Sequence, residues 1–300
     1  MRRIPFRWLF ACTLAIAACI ASAAPADPNA AQALRARFAA LGDKLANSQF
    51  SRPLYLDSVE SSNSVRGDVY AAVDFPFTEV NAVFNGPARW CDVLILHINT
   101  KFCAASKTQA GDMLTVNIGK KTEEKLADTS PVQFNYRVVA ANPDYLAVEL
   151  HADKGPWSTS NFIILLEVAA EQGKRSLVHL TYSYAFGATA RLAMQVYLAT
   201  AGRGKVGFTV VGTRSDGQPD YIGGTRGVVE RNTMRYFLAI DAYLRGLAAP
   251  PADRLEKRLQ AWYTASEEFP QLHDVDRDAY LEMKRHEYRR QQAAQVSSAR

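Results

Sequence analysis

One long amphipathic helix, predicted from Thr225 to Leu247, most constrains how this chain can fold. Its inward stripe, at helical spacing, consists of Val229, Thr233, Tyr236, Phe237, Ile240 and Leu244. A helix with a single apolar stripe must bury it against another layer. The only large apolar surface in the rest of the sequence is the face of a sheet, so the pattern predicts a helix held against a sheet.

Before this helix, apolar and polar side chains alternate in short runs, as in a series of β-strands joined by short turns. Inward side chains recur in runs at 54–59, 69–75, 114–118, 134–138, 146–150 and 178–186, with a continuously apolar run at 162–166. Val206, Phe208 and Val210 indicate a last strand before the helix. Short turns between the runs from 114 to 186 favour an antiparallel meander of these strands.

Four other segments have helical patterns. These are Asp27–Ala46, two short pieces in Pro76–Val93 broken at Gly86-Pro87, Ala190–Ala201, and a tail, Ala252–Arg300, of two charged amphipathic helices. In the tail, Met283–Arg290 is basic and interleaved with apolar side chains. Such a helix either packs on the domain or lies on anionic headgroups; acidic neighbours favour packing.

The first residues have the pattern of an export signal. Arg2, Arg3 and Arg7 precede the apolar run Trp8–Ala18, and Ala21-Ser22-Ala23 has the form of a cleavage site. The sequence therefore predicts a signal peptide at 1–23 and a periplasmic or secreted protein. An alternative is a lipoprotein, because Ile16-Ala17-Ala18-Cys19 resembles a lipobox with Cys19 as the anchor.

Charge and residue spacing exclude several classes of function. Without the three leader arginines, the 35 basic residues become 32, against 30 acidic residues, which disfavours a nucleic-acid partner. The five histidines have no metal-ligand spacing, and the glycine-rich turns lack phosphate-loop spacing. We predict no metal, no cofactor and no nucleic acid, and we assign no catalytic residue.

Two cysteines remain after the leader, Cys91 and Cys103, twelve positions apart. In an oxidising compartment this pair favours a disulfide. Two buried free thiols, or one nucleophile near Asp92 and His97, are the alternatives.

The order of elements from Pro53 to Leu247 resembles the START (StAR-related lipid transfer) group of the SRPBCC helix-grip superfamily. The resemblance is carried by Gly67–Phe77, by the helix end at Trp90, by the hairpin series, and by the helix start Gly224–Phe237. It implies an α+β fold in which a curved antiparallel sheet wraps a long C-terminal helix, with extra N- and C-terminal helices. The expected segments are 1–23, a helix in 24–52, the START-like domain 53–248 and the tail 249–300.

The resemblance also implies a cavity for a lipid or another hydrophobic molecule between sheet and helix. We expect at least ~300 Å³ there. The candidate lining residues are Tyr136, Tyr182, Tyr184, Phe186, Phe208, Arg226, Asn232, Thr233, Tyr236, Phe237 and Ile240, with tyrosine hydroxyls or Arg226 and Asn232 meeting a polar end. A superfamily enzyme using His97 or a pocket tyrosine as acid or base, and a scaffold with a filled core, are the alternatives.

A dense polar group at the start of the long helix has two interpretations. Arg231 and Arg235 are like charges one turn apart, and such a pair is repulsive unless another partner compensates it. Either a ligand head or an outside acid compensates them, or they belong, with Arg226 and Glu230, to a solvated face.

Overall fold

The computed structural model describes residues 29–200 and 202–298, so the predicted leader with Cys12 and Cys19 lies outside the described residues. An eight-stranded antiparallel sheet forms the centre of the fold. Its strands are β1 Leu54–Glu60, β2 Ser64–Val73, β3 Thr100–Thr108, β4 Gly111–Ile118, β5 Ser130–Asn142, β6 Tyr145–Lys154, β7 Thr159–Ala170 and β8 Ser176–Phe186. The helices are α1 Ala30–Ala40, α2 Gly42–Ala46, α3 Phe77–Phe84, α4 Pro87–Leu94, α5 Ala188–Ala199, α6 Gly224–Arg245, α7 Arg254–Glu267 and α8 Arg277–Ser298.

The strand order is β1-β2-β8-β7-β6-β5-β4-β3, so the first hairpin pairs with the last strand. β3, which the sequence patterns do not predict, is one edge of the sheet, and β1 is the other edge. The predicted antiparallel series is confirmed for β4 to β8, but the whole sheet is not one meander because β2 pairs with β8 instead of β3.

The predicted last strand over Val206 to Val210 is wrong. The structure has a separate hairpin there, β9 Val210–Thr213 with β10 Pro219–Tyr221, outside the large sheet. The buried Glu230 carboxylate of α6 accepts the backbone N–H groups of Phe208 and Thr209 at 2.6 and 2.9 Å. Because those donors are bonded to the helix, they do not enter a sheet ladder.

The long helix α6 lies against the sheet as the stripe predicts, which confirms the α+β helix-grip class. Val229, Thr233, Phe237 and Ile240 are all at most 1% exposed. The helix approaches β2 closely at Gly67, where an added Cβ would lie 2.3 Å from Thr233 Oγ1. A side chain at position 67 would push the helix away from the strand, so glycine is required there.

The opposite face of the sheet is covered by α1. Phe38 packs edge-on against Tyr70 with ring centroids 5.8 Å apart, and Arg35 pairs with Asp144 at 2.7 Å. Beneath the helix, His179 lies between two carboxylates, 2.8 Å from Asp68 Oδ1 and 2.7 Å from Glu167 Oε2.

A disulfide joins Cys91 in α4 to Cys103 in β3, with Cα atoms 5.1 Å apart. The disulfide prediction is therefore confirmed, and the nucleophile alternative is excluded for both thiols. The bridge connects the edge strand β3 to the helix that covers the end of the sheet.

The C-terminal helix α8 packs beside β3. Three buried groups hold it there, Lys101, Lys284 and Glu287, which we call the C-terminal clamp. The Lys284 ammonium donates to the carbonyls of His97 and Thr100, both at 2.7 Å, and to Glu287 at 2.8 Å. The basic stretch Met283–Arg290 therefore lies in a packed helix, as its acidic neighbours indicate. No helix within the described residues has the length and apolar character needed to cross a membrane.

Candidate functional site

Several rings meet between the inner face of the sheet and α6. Tyr182 of β8 lies 5.2 Å from Tyr236 of α6, and His97 stacks on Tyr236 at 4.4 Å, measured between ring centroids. Tyr184 and Phe162 extend the group along the sheet, 5.0 Å from each other. We call these five side chains the aromatic cluster. Alternation along β8 explains it, because Tyr182 and Tyr184 are two residues apart and share a face.

The three tyrosine hydroxyls of this cluster have no hydrogen-bond partner within the described part of the chain. The residues themselves are nearly enclosed, with 6%, 5% and 9% exposure for Tyr182, Tyr184 and Tyr236. Buried tyrosines elsewhere behave differently, since Tyr136 donates to Phe84 O at 2.9 Å and Tyr280 to Leu96 O at 2.8 Å. Burial raises the pKa of all three cluster tyrosines, which keeps them neutral.

His97 lies in the turn between α4 and β3. Its Nδ1 accepts the backbone N–H of Asn99 at 3.2 Å, so Nε2 carries the ring proton. Nε2 is buried and has no partner in the described structure. Burial and then the charge of Arg235 lower the pKa of His97, and the ring is therefore neutral.

The predicted lining residues fall into separate places. Thr233, Phe237 and Ile240 belong to the packed seam between α6 and the sheet. Phe208 joins Phe50 and Phe269 in an edge-to-face trio, with centroids 5.4 to 5.7 Å apart. The remaining predicted residues are distributed as follows: Tyr182, Tyr184 and Tyr236 are in the aromatic cluster, Tyr136 reaches the end of α3, and Phe186 borders a groove beside α5.

The two residues that we expected to contact the polar end of a ligand are bonded to protein groups instead. Arg226 Nε donates to Ser58 Oγ at 2.9 Å, and Asn232 Oδ1 accepts from Arg235 at 3.3 Å. The solvated-face interpretation of this region is wrong for Glu230, Arg231 and Arg235, which are at most 2% exposed. They are covered because Val206–Thr209 and the chain after α7 pack over this side of α6.

Two buried arginines and two partly exposed lysines form what we call the cationic cluster, Lys121, Lys205, Arg231 and Arg235 around Asp274. Arg235 Nη2 lies 2.6 Å from Asp274 Oδ2, while Lys121 and Lys205 Nζ lie 2.5 and 2.8 Å from Oδ1. Arg231 instead donates to Val206 O at 2.8 Å.

Burial and neighbouring charges shift the pKa values of the groups in the cationic cluster. Burial and then repulsion from Arg235 lower the pKa of Lys121 to about 7. Burial likewise lowers the pKa of Arg235, against the attraction of Asp274. Burial alone would raise the pKa of Asp274, but the charges of Arg235 and Lys121 bring it well below its usual range.

Two cavities lie near these groups. An open cleft of about 1410 Å³ runs between residues 49–52, the segment 204–208, the end of α6 and α7. A groove of about 310 Å³ lies between α5 and the turn after β1. Neither is bounded by Tyr182 or Tyr236, so a cavity between β8 and α6 stays a prediction.

Sequence reasoning did not find Lys121, Lys205 or Asp274 as members of one site. They are distant in sequence, and only folding of the segment after α7 brings Asp274 to Lys121. The one signal was the repulsive pair Arg231 and Arg235, for which an outside acid was one of the predicted solutions. That acid is Asp274, which pairs with Arg235.

Comparison with known proteins does not assign a family. No family model matches, and no curated protein matches the sequence. Among solved structures, human StAR-related lipid transfer protein 5 aligns with 58% of this chain and 89% of its own, at 9% identity and a TM-score of 0.32. Norcoclaurine synthase from Thalictrum flavum aligns with 50% of this chain and 80% of its own, at 10% identity and a TM-score of 0.32.

A conserved protein of unknown function from Enterococcus faecalis aligns with 73% of this chain and 92% of its own, at 8% identity and a TM-score of 0.32. Likenesses of this size do not transfer a function.

Proposed function

We propose that this chain is exported and binds a lipid or another hydrophobic small molecule between the sheet and α6, at the aromatic cluster. Rings of Phe162, Tyr182 and Tyr236 would cover the apolar part of the ligand. The gain comes from apolar surface removed from water, at about 25 cal/mol per Å² before the cost of ordering the ligand.

The unpaired hydroxyls of Tyr182, Tyr184 and Tyr236 carry this proposal. A phenol enclosed by protein is stabilised when its O–H group finds an acceptor. The ring of Tyr182 neighbours those of Tyr184 and Tyr236, and none of the three hydroxyls has a protein acceptor in the described residues. In the bound state, a polar atom of the ligand would accept from these hydroxyls in place of water. The rings would then contact the apolar part of the ligand.

The acid–base alternative gains no support from His97. With Nδ1 accepting from Asn99 and Nε2 protonated, the ring has no free lone pair for a proton. In this arrangement His97 is a hydrogen-bond donor within the aromatic cluster. Donors and neutral phenols suit recognition of a polar end, which favours binding over proton transfer.

Titration with dodecanol, followed by displacement of a neutral fluorescent probe such as N-phenylnaphthylamine, tests this function. Wild-type protein should bind dodecanol, and the double variant Tyr182→Phe with Tyr236→Phe should bind about fivefold more weakly, the worth of roughly one neutral hydrogen bond. The matched control is Tyr136→Phe, whose hydroxyl already has a protein acceptor. It should leave binding unchanged.

Two results would contradict the proposal. One is a folded wild-type protein that binds no dodecanol and carries no co-purified molecule in native mass spectrometry of material from the periplasm. The other is an equal loss of binding in Tyr136→Phe and in the double variant. Cell fractionation tests the export prediction separately.

A further inference from the structure

The cationic cluster holds more positive charge than its protein partners neutralise. In residues 29–200 and 202–298, Asp274 is the one carboxylate within 4 Å of Lys121, Lys205 and Arg235. The Asp274 and Arg235 side chains are each 2% exposed. Burying cations without matching anions is costly, so such an excess is unusual in a group that only supports the fold.

Within this excess of positive charge, Arg231 is the side chain that lacks an ion pair in the described residues. It is 2% exposed, and no carboxylate in the described part of the chain forms an ion pair with it. Its guanidinium donates to Val206 O and interacts with the phenol of Tyr197, both uncharged groups, and the charge of Asp274 acts on it without forming an ion pair. A guanidinium presents donors in a fixed fork that matches a carboxylate or a phosphate. An oxyanion is therefore the partner that Arg231 lacks.

Further donors beside Arg231 are also unsatisfied. Arg235 Nε is buried and has no acceptor in the described structure, and the same holds for His97 Nε2. Arg235 and Tyr236 are adjacent on α6, and Tyr236 stacks on His97. The cationic cluster thus adjoins the aromatic cluster through His97.

Solvent reaches this region through its two lysines. The side chains of Lys121 and Lys205 are 24% and 33% exposed, in contrast to the buried arginines. Lys205 and His273 also line the large open cleft. An anion can therefore enter from the cleft side and meet the arginines beneath.

We propose that the cationic cluster binds an oxyanion, a carboxylate or a phosphate, as the head of the ligand held at the aromatic cluster; this proposal rests on the function proposed above. The ligand class is an anionic amphiphile. Its acidic head forms the ion pair that Arg231 lacks, and its apolar part lies toward Tyr236.

Isothermal titration with dodecanoate, dodecyl phosphate, dodecanol and inorganic phosphate tests the ligand class. We expect wild-type protein to bind at least one of the two anionic amphiphiles about tenfold or more tightly than dodecanol. Arg231→Gln should remove that preference and leave dodecanol binding unchanged. The matched control is Arg137→Gln, which removes the same charge from β5, away from the cleft, where Arg137 pairs with Glu149.

Arg231 is buried, so the test needs a second variant that does not depend on the folding of Arg231→Gln. Lys205→Gln changes a partly exposed side chain and should weaken binding of the anionic amphiphile several-fold. Thermal melting of each variant establishes that it is folded before binding is compared.

The outcomes separate the two proposals. Dodecanol binding without any preference for the anionic amphiphiles overturns the anion site and leaves the proposed function standing. Binding of inorganic phosphate alone, lost in Arg231→Gln, supports the anion site but contradicts the proposed function. A preference that survives in both Arg231→Gln and Lys205→Gln overturns the assignment of these residues.

Discussion

The C-terminal part of the chain contributes to two charge clusters that differ in how completely their hydrogen bonds and charges are satisfied. In the C-terminal clamp, the three Lys284 donors have three acceptors, and Lys101 contacts Ile98 O, Met283 Sδ and Glu287. In the cationic cluster, three cations share Asp274, Arg231 forms no ion pair with a described carboxylate, and Arg235 Nε has no acceptor in the described structure. A satisfied cluster stabilises the fold, whereas an unsatisfied one is suited to a ligand.

The largest effect is expected in the C-terminal clamp. Glu287→Gln leaves Lys101 and Lys284 buried without a negative charge and should lower the free energy of unfolding by about 3–5 kcal/mol. Urea denaturation measures the change. Phosphate at constant ionic strength should not restore the loss, because the clamp has no free donor for an anion. Restoration by phosphate would remove the distinction between the two clusters.

A smaller loss is expected for Asp274→Asn in the cationic cluster. Two of its cations are partly exposed, so water replaces some of the lost attraction and the cost should be about 2–3 kcal/mol. Added phosphate should recover at least half of it in the same urea measurement, since an external oxyanion can take the place of the carboxylate. Equal insensitivity to phosphate in Asp274→Asn and Glu287→Gln would count against the anion site.

Lys121 gives a comparison that depends on pH. Its pKa is lowered from 10.5 to about 7 in the folded state, by burial and then by Arg235. Protonation therefore costs folding free energy, and the cost is complete below about pH 7 and absent above about pH 10.5.

Wild-type stability should accordingly rise, relative to Lys121→Met, as the pH rises from about 7 to about 10. Denaturation by urea at both ends of this range is the measurement. A pH-independent difference would show that Lys121 is not destabilised by its neighbours.

The smallest effect is expected on the outer face, where charges are balanced. Burial disfavours the charged His179 ring, but hydrogen bonds to Asp68 and Glu167 raise its pKa above 6.5. This stabilisation is complete below about pH 6.5 and is lost as the pH rises through the folded pKa. His179→Gln should remove a slope of no more than about 1 kcal/mol above pH 6.5, measured by thermal melting. An unchanged slope would contradict this role.

Sequence patterns predicted the parts of the fold that follow from periodicity. The stripe of α6, the hairpins of β5 to β8 and the disulfide are local or compositional signals, and all three agree with the structure. The strand β3 was missed because Thr100–Thr108 lacks a sustained apolar alternation, and its exposed second half borders the sheet edge.

The candidate site was predictable only in part. Tyr182 and Tyr236 were correctly predicted to lie close together, because each belongs to the inward-facing stripe of its own strand or helix. The partners of Arg231 and Arg235 come from segments far apart in the chain, so no local pattern could bring Lys121 or Asp274 to them. Arg226 was misassigned because its partner, Ser58, belongs to the distant edge strand β1.

Proton uptake on binding tests the central claim most directly, that the cationic cluster lacks an anion. At about pH 8 Lys121 is mostly neutral in the free protein, and a bound oxyanion should raise its pKa toward the usual range. Dodecanoate stays ionised at this pH and does not release a proton. Titration calorimetry in buffers of different ionisation enthalpy should show uptake of roughly half a proton or more, abolished in Lys121→Gln. Binding with no proton uptake in the wild-type protein would contradict the claim.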